Sequence, residues 1–139
     1  MNWTSKEFLV GASDRRTVLV VLSAVPLGIA AYASLGALSP LIEFPGADYQ
    51  FHILFAAVIG IVAAAAAGLN GGILPGFAVG AVPFFAYRVW WYQVFGCFPC
   101  PDTLAGVLPV ALEQTLKFSL LPGVIGVGIG MWLRRRRSG

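Results

Sequence analysis

Cys97 and Cys100 are the two cysteines of this 139-residue chain, set in the stretch Phe95-Gly96-Cys97-Phe98-Pro99-Cys100-Pro101-Asp102-Thr103. Two intervening residues suit three kinds of chemistry: a reversible disulfide, half of a metal site, or a clasp on a loop. A helix is expected to begin near Asp102-Thr103, and a helix N-terminus favours the thiolate and lowers a cysteine pKa. A structural zinc site takes about four protein ligands and a catalytic one about three. The sole histidine, His52, and Asp102 would have to complete such a set, and nothing in the spacing brings His52 near, so no metal is expected. One histidine also excludes a haem held by two.

Charged residues next to apolar runs are the second group able to do chemistry. Glu113 and Lys117 stand i, i+4 apart with the acid first, the favourable order on a helix. Arg88 is expected at a similar depth on the preceding helix, just below the aromatic trio Trp90-Trp91-Tyr92. The leading reading of Arg88, Glu113 and Lys117 is an ion-pair cluster at the outer interface that fixes two helices. The functional reading is a polar site opening outward over an anionic head group. No Ser-His-Asp set, Walker loop, dinucleotide fingerprint or paired intramembrane carboxylates can be assembled from the remaining residues.

What must position these groups is a membrane bundle. Hydrophobic residues make up 58% of the chain and charged residues 11%, far from the roughly 25% charged content of soluble domains. Uncharged runs cover 17–42, 53–87 and 118–133. A span needs about 20 apolar residues, so the middle run is too long for one helix and should turn at the Asn70-Gly71-Gly72 cluster. The fold class is therefore an all-α membrane protein: a four-transmembrane-helix bundle with helices near 17–41, 51–69, 73–94 and 104–133 in one polytopic domain, 1–139.

Lys6, Arg15, Arg16 and the run Arg134-Arg135-Arg136-Arg137 lie at the chain ends, while the loops expected on the other face carry Glu43, Asp48 and Asp102. The positive-inside rule puts both termini in the cytoplasm of a cell membrane and the cysteines outside. Basic residues abutting a span anchor it on anionic lipid, so the arginine run is assigned to the bilayer and not to nucleic acid. Thr4-Ser5-Lys6-Glu7 has capping-box spacing, with Trp3 and Phe8 placed for a hydrophobic staple. A short interfacial N-terminal helix over 4–11 is expected.

Small residues recur every four positions in the second helix, at Ala56, Gly60, Ala64 and Gly68. Gly76 with Gly80 and Gly126 with Gly130 repeat the spacing in the third and fourth helices. Association in lipid depends on close backbone approach, which small residues permit. These faces should be contact surfaces, and a chain this short with so many of them points to a homo-oligomer or another membrane subunit. Pro26, Pro83 and Pro122 are expected to bend the helices that hold them.

Outside a cell the Cys97–Cys100 pair should be oxidised. A structural disulfide of this size is an inexpensive clasp between two helix ends, contributing about 2 kcal/mol. Proline before the second cysteine also resembles the active site of thioredoxin-like oxidoreductases. Four helices with an outward CxxC resemble the bacterial quinone-linked disulfide-forming enzymes and the vitamin K epoxide reductase family, which implies quinone chemistry at Cys97 and Cys100. The resemblance is one of topology and one four-residue motif. Those families carry a second cysteine pair for electron relay, and this chain has one pair, so relay would have to be direct. The leading expectation is thus a non-catalytic accessory subunit or homo-oligomeric bundle without a cofactor. A thiol-disulfide oxidoreductase and a small channel or transporter are the alternatives.

Overall fold

The computed structural model describes residues 5–11, 13–42, 47–70, 72–96 and 103–139. Six helices account for nearly all of them: α1 (Ser5–Leu9), α2 (Asp14–Leu22), α3 (Ala24–Ile42), α4 (Ala47–Asn70), α5 (Ile73–Phe95) and α6 (Leu104–Ser138). Four helical stretches are long and apolar enough to cross a membrane: Lys6–Ala37, which takes in most of α1 to α3, then His52–Leu69, Ile73–Phe95 and Leu104–Ser138. At about 1.5 Å per residue, the 35 residues of α6 reach about 52 Å, well beyond one hydrocarbon thickness.

The run expected as one helix over 17–41 is divided at Ser23, where α2 ends and α3 begins. Pro26 explains the position: it has no N–H for the Leu22 carbonyl, and its ring crowds that oxygen. In the first turn of α3 the missing donor has no helical partner to lose. Pro83, Pro109 and Pro122 lie inside helices.

At the N-terminus, α1 covers five residues. Trp3 and Thr4, on which the expected staple and capping box depend, lie outside the described residues. Gly11 follows at φ 115°, a left-handed conformation that turns the chain into α2. The turn is held by Thr17, whose Oγ1 donates to Val10 O and Ser13 O, both at 3.0 Å.

The interior runs along α5, in which 61% of an 18-residue apolar window is buried, against 6% of such a window in the Lys6–Ala37 stretch. The core has two unlike halves. Leu35, Ile59, Phe84, Tyr87 and Trp90 make one, with Phe55, Trp91 and Phe118 against it. Ala63, Ala67, Val127 and Met131 make the other, with Ile73 and Phe77. In the small-residue half the backbones of α4, α5 and α6 approach closely. In the aromatic half, rings fill the space between the helices, Phe84 and Phe118 stacking at 4.2 Å between centroids.

Candidate functional site

The aromatic half holds two of the side chains that could do chemistry, His52 and Arg88. His52 projects from α4 into rings supplied by the other two helices, edge-on to Phe118 at 5.4 Å, Phe84 at 6.1 Å and Tyr87 at 6.3 Å. One turn along α5 from Phe84, the Arg88 guanidinium lies 5.4 Å from the Phe84 ring centre and 5.7 Å from that of Tyr92. Residues 84, 88 and 92 share one helix face, so the cation is sandwiched by rings of its own helix. Its Nε is buried without a hydrogen-bond partner.

Glu113 and Lys117 pair with each other across one turn of α6, with side chains 61% and 67% exposed. Arg88 is not joined to them among the described residues: it belongs to the ring face of α5, whereas the pair points out from α6. Exposed pairs of this kind contribute little to stability. Cys97 and Cys100 lie outside the described residues. The two ends of their loop are described: Gly96, at φ 83°, closes α5 with its N–H on Tyr92 O, and Thr103 caps α6 by accepting from Gly106 N at 3.2 Å. Tyr92, Gly96, Thr103 and Val107 border a common cavity of about 430 Å³, so the loop leaves and returns at neighbouring points. Among the described residues, no group of three or more His, Cys, Asp or Glu could hold a metal ion.

The small-residue positions are brought together within the chain. A Cβ placed on Gly126 would fall closer than 3.0 Å to the backbone of Gly60, and one on Gly130 would do the same at Ala64. Gly68 faces Gly130 O at 3.6 Å by the same construction. On the other side of α4, Gly80 meets Ala63, whose Cβ would be 2.7 Å away, and Gly76 meets Ala67 at 3.1 Å. Ala56, one turn before Gly60, is half-buried.

The buried face of α6 extends further than its glycines. Val107, Ala111, Thr115, Ser119, Gly123 and Val127 form one stripe, with Thr115 Oγ1 donating to Ala111 O at 2.6 Å and Ser119 fully buried. Sequence reasoning missed its first half. The signal was a strict four-residue period in which alanine, threonine and serine stand where glycine stands later.

Three grooves and the arginine run complete the described surface. Gly28, Ile29 and Tyr32 of α3 face Val82, Ala86 and Val89 of α5 across an apolar groove of about 490 Å³, and Tyr32 Oη donates to Gln93 Oε1. The four consecutive arginines are separated by the helix. Arg134 and Arg137 line a groove of about 360 Å³ with Gly68, Leu69, Gly130 and Leu133. Arg135 borders a different groove with Phe8, Phe77 and Trp132, and the Arg136 guanidinium lies 4.0 Å over the Trp132 ring. Chemically, these residues offer ring-lined cation sites and an anion-attracting end.

Comparison with known protein families, curated proteins and solved structures found no match for the chain.

Proposed function

We propose that the chain is a small multi-pass integral membrane protein, one polytopic domain over 1–139, serving as a non-catalytic accessory subunit. The observation that carries this reading is the unequal use of its four apolar helices. The small faces of α4, α5 and α6 are spent on each other, while only 6% of an 18-residue apolar window of the Lys6–Ala37 stretch is buried. A homo-oligomer or partner subunit would therefore be met not through the glycine faces but on the α3 side, where Val25, Ile29 and Tyr32 are exposed.

Orientation follows from charge. Lys6, Arg15, Arg16 and Arg134 to Arg137 at the chain ends face the cytoplasm and its anionic lipid, and Glu43, Asp48 and Asp102 face outward. α1, carrying exposed Phe8 and Leu9 beside Lys6, lies at that cytoplasmic interface. On the outer side, Cys97 and Cys100 close a disulfide clasp between α5 and α6; support comes from the adjacency of Gly96 and Thr103. Glu113 and Lys117 act there as a surface pair.

Purification from native membrane in mild detergent, followed by native mass measurement, tests the subunit reading. A mass exceeding one chain, through a second copy or a different protein, is expected. A stable lone chain from native membrane would overturn it.

A further inference from the structure

We propose that the groove between the C-terminal ends of α4 and α6 binds one anionic phospholipid, its phosphate on Arg134 and Arg137 and an acyl chain against Gly68, Leu69 and Leu133. The site rests on the reading of the arginine end as the membrane surface, and goes beyond it by separating four arginines that composition makes equivalent. On a helix, positions 134 and 137 fall on one face, while 135 and 136 turn away from it. The structure follows that geometry: Arg134 and Arg137 border the α4–α6 groove, Arg135 borders the groove containing Phe8, and Arg136 is over Trp132.

The groove matches an amphiphile. Its inner walls are Ala64, Ala65 and Gly68 of α4 with Gly130 and Leu133 of α6, and its rim is cationic. From Gly130 to Arg137 the helix rises about 10 Å, so apolar wall and charged rim lie within reach of one lipid molecule. The floor is rigid, because Gly130 and Ala64 already bring the two backbones into close approach. Guanidinium forks match phosphate oxygens in a way an ammonium cannot. The C-terminus of α4, with its partial negative charge, favours cations at this end. A free phosphate would leave the apolar walls unused, and a zwitterionic lipid would carry its own cation to the arginines.

The full-length protein in detergent, titrated with dioleoyl phosphatidylglycerol or dioleoyl phosphatidylcholine and weighed by native mass spectrometry, tests this. Wild type should retain one phosphatidylglycerol per chain in preference to phosphatidylcholine. R134Q/R137Q should lose about 30-fold in affinity, the effect of two charges near a lipid phosphate, and R135Q/R136Q should keep the preference. Ala65→Trp leaves every arginine in place and fills the groove; it too should weaken binding. Helical circular dichroism establishes that each variant is folded. Equal loss in both arginine pairs would overturn the groove site and leave the surface-anchor reading standing. Undiminished binding by Ala65→Trp, or competition by glycerol phosphate as strong as by the lipid, would overturn the acyl-chain assignment. Absence of any phosphatidylglycerol preference in wild type would overturn both readings.

Discussion

A methyl group on Gly130 would press on the Ala64 carbonyl, whereas one on Gly128, two residues away on the same helix, would meet nothing within 4 Å. Gly130→Ala should therefore force α4 and α6 apart and cost about 1–3 kcal/mol. Gly128→Ala removes glycine from a helix interior without a clash and should be neutral or stabilise by up to about 1 kcal/mol. Thermal unfolding in one detergent measures both; equal shifts would mean that close backbone approach does not hold this pair together. Cys97 and Cys100 are tested by redox equilibration. A clasp should have a potential below about −300 mV, and a higher one would move the pair into the thiol-exchange class. At this scale the sequence was informative about faces but not about neighbours. The four-residue spacing of Gly60, Ala64 and Gly68 marks a stripe, and only the structure shows Gly126 and Gly130 against it. Arg88 shows the converse: depth counting grouped it with Glu113 and Lys117, while Phe84 and Tyr92, four residues to either side, are what it touches.

Among the elements, the division between α2 and α3 matters most. Pro26 was legible as a helix-bending residue, but an apolar run does not reveal whether a proline lies in a helix interior or in the first turn of a new helix. Ser23 decided it, where α2 is capped. Pro26→Ala restores a donor for Leu22 O and should join α2 to α3. Spin labels at Asp14→Cys and Ser34→Cys, in a C97S/C100S background, would then move toward the roughly 30 Å expected of 20 straight helical residues. An unchanged distance distribution would show that Pro26 does not set the break. The Asn70-Gly71-Gly72 cluster was readable for a different reason: a run of 35 apolar residues needs a turn, and glycine is where the chain can make it. The structure ends α4 at Asn70 and starts α5 at Ile73.

For the whole molecule, composition alone indicated helices in lipid, because a chain with 11% charged residues cannot cover itself with a polar surface. It could not indicate that α5 would be the centre and the Lys6–Ala37 stretch the periphery, since burial depends on which small faces find each other. The proposed account joins that asymmetry to charge: a locked trio of helices, a fourth alongside, both ends cytoplasmic, and the cysteine loop outside. Thiol labelling in intact cells tests it most directly. After complete reduction with excess tris(2-carboxyethyl)phosphine, an impermeant maleimide should modify native Cys97 and Cys100 without permeabilisation. A single cysteine at Ser138, in a C97S/C100S background, should react only once the membrane is opened. Labelling of position 138 in intact cells, or protection of the native pair there, would contradict the account.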